Sequence, residues 1–316
     1  SKKLCMNHGK ESNIEKRNPM RTIKIGTRKS QLACIQAEFV LKYIEEYCEG
    51  YKAELVKVTT TGDMILSTRL DEIGGKGLFV RELDMALING NTDLSVHSLK
   101  DMPIEVATDL PIIGYSRRED ARDVLVLPRG ISEYDYYGPI GCSSNRRSLQ
   151  LKDIYPKAEI KSVRGNVLTR LEKLDKGEYG ALVLAAAGLK RLGLTERISR
   201  YFSIQEMIPA AGQGILCIQG KKESNYDFLE GFFDKEAETC AIAERAFMTY
   251  LNGGCSLPIG VYAEILNEQE MKIQGLYYNR ENNVYKKMSL TGNRFAPEEL
   301  GIQLAMALKN ICSTSL

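Results

Sequence analysis

Histidine is scarce in this sequence: His8 and His97 are the only two among 316 residues. The eight cysteines are Cys5, Cys34, Cys48, Cys142, Cys217, Cys240, Cys255 and Cys312, and no two of them form a Cys-x-x-Cys pair. With so few imidazoles and no paired thiols, neither a structural zinc nor any other metal site is expected. No apolar run is long enough to span a bilayer, so no membrane contact is expected. The formal net charge is only +2, which gives no one-signed field to draw in nucleic acid. Residues 1–19 are polar, rich in lysine and asparagine, and lack the apolar core of a signal peptide. They read as a disordered extension or an expression remnant, with Met20 a candidate natural start. A cytoplasmic protein with reduced thiols follows, and no long apolar stretch calls for a partner, so a monomer is expected.

What is present is ordinary globular composition, 43% hydrophobic and 27% charged, with length for two or three domains. Residues 21–26 alternate as a half-buried strand does. Ser30 is placed to cap a helix, and Leu32, Ile35, Phe39, Val40, Tyr43, Ile44 and Tyr47 recur at helical spacing. Residues 54–58 read as the next strand, which makes a βαβ opening and a parallel pairing. Asp71-Glu-Ile-Gly-Gly-Lys-Gly77 resembles a phosphate loop at first sight. Leu70 stands where the Walker pattern needs glycine, however, and Gly77 replaces the Ser/Thr that would meet magnesium. A mobile flap is the better reading of this glycine-rich segment. A helix over 79–89 and strands over 110–114, 124–127, 160–163 and 181–185 follow, with a helix over 167–176. Residues 115–123 and 208–215 read as two crossings between α/β lobes, hinged about a cleft. Beyond them, a helix over 237–251, several short segments from Val261 to Leu290 and a helix over 297–312 make a small α+β domain.

Three groups of residues are candidates for chemistry. The first is Ser95-Val-His-Ser-Leu-Lys-Asp-Met-Pro103, where a short apolar strand runs out into His97, Lys100 and Asp101. Ligands of open α/β sheets bind beyond strand ends of this kind; the competing reading is a polar turn closed by Pro103. The second group is a set of arginines. Arg28, Arg146, Arg147 and Arg164 fall at strand-to-helix junctions, where helix N-termini favour anions, and Arg170 and Arg191 lie further on. Guanidinium groups bind carboxylates bidentately, so the set describes a polyanion cleft. The third is Cys255, in Asn252-Gly-Gly-Cys-Ser-Leu-Pro258. Its flanking glycines favour an exposed thiol that serves as nucleophile or attachment point, although most cysteines are small buried hydrophobes.

From Arg21 onward the chain resembles the porphobilinogen deaminase (hydroxymethylbilane synthase) family. The resemblance rests on Gly26-Thr-Arg-Lys-Ser30, Gly74-Gly-Lys-Gly-Leu-Phe79, Val96-His-Ser-Leu-Lys-Asp101, Ser143-Ser-Asn-Arg-Arg147, Arg164-Gly-Asn166, Ala210-Ala-Gly-Gln-Gly214 and Gly253-Gly-Cys255, in that order. It implies two periplasmic-binding-protein-like (type II) α/β lobes with mixed sheets around a cleft, plus a small C-terminal α+β domain. The division it suggests is 20–116 with 215–234 for the first lobe, 117–214 for the second, and 235–316 for the domain carrying the cofactor cysteine. It also implies a dipyrromethane cofactor attached through Cys255, onto which four porphobilinogen molecules condense with loss of ammonia before hydrolysis releases hydroxymethylbilane. Asp101 matches the catalytic carboxylate, which assists proton transfer as ammonia leaves and stabilises the cationic azafulvene. Arg28, Ser30, Lys100, Ser144, Arg146, Arg147, Arg164, Arg170 and Arg191 match positions that bind carboxylates of cofactor and substrate. Lys76 and Phe79 belong to the flap, and Gln213 to the cleft. Two departures stand out: Asn145 where leucine is usual, and Cys142 where threonine is common. His97 reads as structural. The alternative is a non-catalytic two-lobed protein that binds a polycarboxylate; such a protein would have no need of a glycine-flanked cysteine.

Overall fold

The computed structural model describes residues 20–61, 80–253 and 257–314. The extension 1–19, the flap residues Lys76 and Phe79, and Cys255 lie outside the described residues. Among the described residues no helix is long and apolar enough to cross a membrane.

Among the described residues, two mixed five-stranded sheets and one three-stranded sheet make up the architecture, as two α/β lobes with a small third domain. The first sheet contains β1 (Arg21–Arg28), β2 (Tyr51–Val58), β3 (Leu94–Ser98), β4 (Ile112–Tyr115) and β10 (Leu216–Gly220). Its order is β2-β1-β3-β10-β4, with β1 parallel to β2 and β3, and β10 antiparallel to both its neighbours. The second holds β5 (Asp123–Val126), β6 (Ile140–Gly141), β7 (Ile160–Lys161), β8 (Ala181–Ala185) and β9 (Arg200–Tyr201), in the order β7-β6-β8-β5-β9. Here β5 is the antiparallel member. In each sheet the antiparallel strand is the first one after a crossing, so each lobe is completed by a strand that the other lobe hands over.

Local rules explain the helices that cover the first sheet. Ser30 Oγ accepts from the Ala33 amide at 3.3 Å and starts the helix Gln31–Tyr47. Its buried positions Ala37, Val40 and Ile44 meet Ile23, Ile25 and Leu94 of the sheet in one apolar cluster. The helix expected over 79–89 is observed as Arg81–Ile88.

The two crossings run side by side. Ser116 donates its amide to Leu216 O at 2.8 Å, Leu216 donates to Ser116 Oγ at 3.0 Å, and Glu119 donates to Gly214 O at 3.0 Å. Gly214 has φ +90°, and a Cβ there would land on the Glu119 carbonyl oxygen; Gly212, with φ +72°, lies against Leu99. Only glycine meets both demands.

The third domain differs from expectation. Instead of several short segments, β11 (Gly260–Ile265), β12 (Glu270–Asn279) and β13 (Val284–Asn293) form an antiparallel sheet whose last two strands each run for ten residues. The alternation on β12 buries Met271 and Ile273 against Phe247, Leu304 and Leu308 of the helices Lys235–Tyr250 and Pro297–Thr314.

One buried ion pair joins this domain to both crossings. Arg118, on the first crossing, donates Nη1 and Nη2 to the two carboxylate oxygens of Glu244 at 2.6 and 3.0 Å, and Nε to Gln213 O at 2.9 Å. Glu244 has no exposed surface and accepts further bonds from the Gly212 amide at 2.6 Å and the Ala263 amide at 2.8 Å. Removing one partner of such a pair leaves the other charged and buried. Glu244→Gln should therefore lose about 3–5 kcal/mol of stability in urea unfolding; an unchanged midpoint would show that the pair does not hold the domains together.

Candidate functional site

The chain leaves β3 into a single 3-10 turn, Leu99–Asp101. That turn puts the exposed Asp101 over a hollow also lined by Arg28, Ser30, Gln36, His97 and Ser98. His97 is buried and bonds through Nε2 to Gln219 Oε1 at 3.1 Å. The Gln219 amide nitrogen donates to Leu110 O at 2.9 Å, which leaves Oε1 to accept and assigns the proton to Nε2 of His97. Desolvation pulls the imidazole down to about 4, with the Arg28 charge pushing the same way against the Gln219 bond, so His97 is neutral at physiological pH.

Across the cleft lies a residue that the sequence reading passed over. Asp123, the first residue of β5, has no exposed surface. Its Oδ2 accepts from Arg146 Nη1 at 2.7 Å; its Oδ1 accepts from Arg147 Nε at 2.9 Å and Gln213 Nε2 at 3.0 Å, with Arg147 Nη2 at 2.7 Å. Burial would raise the Asp123 pKa, but Arg146 and Arg147 outweigh it and hold the carboxyl well below the usual range. Both arginines are on the first turn of the helix Asn145–Ile154, which Ser144 caps by accepting from the Arg147 amide at 3.4 Å. Neither is a surface arginine: their exposures are 5% and 8%. A signal for Asp123 exists in the sequence, since a carboxylate heading the apolar run Val124-Leu-Val-Leu127 has to be paired. Arg118 and Glu244 carry no comparable signal.

Positive charge accumulates around this carboxylate. Lys100 Nζ reaches Gln213 Oε1 at 3.4 Å. Desolvation brings Lys100 down to about 8; Arg147 and Arg146 press it lower, while Asp101 and Asp123 oppose them. Arg170 donates Nε to Gly165 O at 2.8 Å and is pulled down to about 10 by desolvation and then by the charges of Arg147 and Arg164. Lys100 thus feels the charges of Asp101, Asp123, Arg146 and Arg147, Arg147 that of Asp101, and Arg170 those of Arg147 and Arg164, while Arg28 and Ser30 line the hollow below Asp101. Arg191 reaches the crossing instead, donating Nη2 to Gly214 O at 2.6 Å; desolvation lowers it to about 10 against the pull of Glu119. Cations that depress one another in a confined space are relieved by a polyanion. Among the described residues no cluster of His, Cys, Asp and Glu is arranged to hold a metal.

The comparisons with known proteins agree with this geometry. The family described as porphobilinogen deaminase, dipyromethane cofactor binding domain, matches residues 23–227. The C-terminal domain of porphobilinogen deaminase matches residues 238–310. The chain belongs to the porphobilinogen deaminase family. Its relatives include the porphobilinogen deaminase of Alkaliphilus oremlandii, 51% identical over 91% of this chain and 96% of that protein. That of Acetivibrio thermocellus is 51% identical over 90% and 97%. The activity is therefore that of a transferase: four porphobilinogen molecules are condensed onto a dipyrromethane primer with loss of ammonia, and the linear tetrapyrrole hydroxymethylbilane is released by hydrolysis. A non-catalytic polycarboxylate-binding protein is not favoured. The site fits the cofactor, because each pyrrole ring brings an acetate and a propionate to a floor where cations outnumber carboxylates.

Lys100 gives this floor a pH limit. It is charged below about 8 and neutral above. The KM for porphobilinogen should rise as pH passes from about 7 to about 9, and Lys100→Gln should abolish that rise while increasing KM at neutral pH. A wild-type KM that stays flat across the range would remove Lys100 from carboxylate binding.

Proposed function

We propose that the residues of the cleft divide the reaction between one carboxylate and a ring of cations. Asp101 handles the proton. As the aminomethyl C–N bond of porphobilinogen breaks, Asp101 assists proton transfer so that nitrogen leaves as ammonia. Its carboxylate then faces the cationic azafulvene that remains. An exposed carboxylate at a strand end, in a cleft where nearly all other charges are positive, is the observation that carries this reading. Arg28, Ser30, Lys100, Ser144, Arg146, Arg147, Arg164, Arg170 and Arg191 hold the acetates and propionates of cofactor and substrate. They orient the rings and keep the reacting carbon at Asp101. Gln213 lines the cleft between Lys100 and Asp123, and Lys76 and Phe79 belong to a flap over it. Cys255 anchors the dipyrromethane as a thioether, and the group supplies a covalent primer on which the chain grows.

The division of the chain that suits these roles is 20–116 with 215–234 as one lobe, 117–214 as the other, and 235–316 as the domain bearing the anchor. The protein works as a cytoplasmic monomer. Separate binding sites on separate lobes make the distance between lobes a variable of chain growth.

Intact mass tests cofactor and anchor together. Protein purified without stripping should exceed its sequence mass by one dipyrromethane, and Cys255→Ala should show the bare mass. A Cys255→Ala protein that still carries the group would move the anchor elsewhere. Asp101→Ala should retain the fold and lose about 10²–10⁴ in turnover; a wild-type rate would end its role in proton transfer.

A further inference from the structure

We propose that Asp123 is a positioning residue for the condensation: an internal counter-charge that sets Arg146, Arg147 and, through Gln213, Lys100 in the arrangement that receives ligand carboxylates. The inference rests on the activity stated above and adds a residue to it. Asp123 touches neither the hollow under Asp101 nor solvent. It acts through the groups it holds, and they come from three parts of the chain: the helix Asn145–Ile154, the second crossing and the turn after β3.

The geometry is that of a clamp. Each guanidinium is fixed at two points on the protein side. Arg146 Nη1 is shared between Asp123 Oδ2 at 2.7 Å and Ile208 O at 2.8 Å. Arg147 binds Asp123 Oδ1 and reaches Val183 O with Nη1 at 3.2 Å. Those bonds leave Nε and Nη2 of Arg146 outside the clamp. Gln213 is fixed in turn, because its amide nitrogen donates to Ala121 O at 2.7 Å as well as to Asp123, so that its oxygen is presented to Lys100.

The charge balance explains why a carboxylate stands there. Three cations, Arg146, Arg147 and Lys100, surround Asp123, which cancels one of them. Without it, two adjacent guanidiniums buried side by side would repel, and each would order only when a ligand arrived. With it, they are held in place beforehand, and the uncancelled positive charge is left for the ligand. Preorganisation of this kind lowers the cost of binding and makes the position of the bound carboxylates a property of the protein.

The test uses Asp123→Asn, which keeps the shape and removes the charge, and Asp123→Glu, which keeps the charge and lengthens the arm. Three readouts apply to folded protein: the fraction carrying covalent dipyrromethane by intact mass, the KM and kcat for porphobilinogen, and the titration of Lys100 followed by NMR of methyl-labelled lysine. For Asp123→Asn the primer-loaded fraction should fall, and KM in the loaded fraction should rise about 10-fold to 100-fold with a smaller change in kcat. The Lys100 midpoint should move down, since one of the two carboxylates that support its charge against Arg146 and Arg147 is gone. Asp123→Glu should fail in loading and KM while leaving the Lys100 midpoint near the wild-type value. Wild-type loading and KM in folded Asp123→Asn would overturn the proposal. Should Asp123→Asn not fold, Asp123→Glu decides, and wild-type loading and KM there would leave Asp123 a charge with no part in positioning. A wild-type protein without the dipyrromethane mass would count against the cofactor reading and leave Asp123 aside.

Discussion

A cleft crowded with like charges is the constraint around which the remainder of the molecule is arranged. Arg146 and Arg147 press on Lys100, Arg147 presses on Arg146, and Arg147 and Arg164 press on Arg170, with Asp123 the carboxylate buried beside Arg146 and Arg147. Such a cluster persists only where backbone and side-chain acceptors hold it rigidly. Carbonyls at Gly165, Val183 and Ile208 do part of that, and a helix start, a strand start and a glycine-lined crossing converge to supply the rest. The fold therefore serves the electrostatics. Strand ends and helix N-termini of both lobes point their polar groups at one space, where a polyanionic chain relieves the repulsion.

The carboxylate and the cations have different surroundings for a physical reason. Asp101 sits on a one-turn helix at the rim and keeps its contact with water. Asp123 is fully paired and lies well below the range in which it could trade protons. Two aspartates of the same cleft thus have unlike surroundings, one open to water and the other a buried, fully paired charge. His97, equally prominent in the sequence, is buried and neutral.

Much of this was legible from local patterns. Alternation over 21–26, the Ser30 cap and the helical stripe behind it predicted the opening of the first lobe, and the order of seven motifs carried the family. What escaped the reading has no local signature. β10 is a short, fully buried run with no alternation, and β6 and β9 are two residues each, defined only by their partners, while the strand expected over 160–163 is confined to Ile160–Lys161. The long β12–β13 hairpin was read as short segments because its outer strand is mostly polar and half exposed. Glu244 lies in the middle of an amphipathic helix, and its partner Arg118 is 126 residues away, so nothing nearby in the chain marks either as a joint. Asp123 was the exception, since a charge at the head of an apolar strand asks for a partner wherever it occurs.

The paired crossings have a mechanical consequence. On the way between the sheets the two crossings bond to each other, through Ser116 with Leu216 and Glu119 with Gly214. Any change of angle between the two sheets therefore has to be carried by both segments together, as by a double hinge pin. Glu244 bonds Arg118 of one crossing and the Gly212 amide of the other, so the third domain is fastened to that same joint.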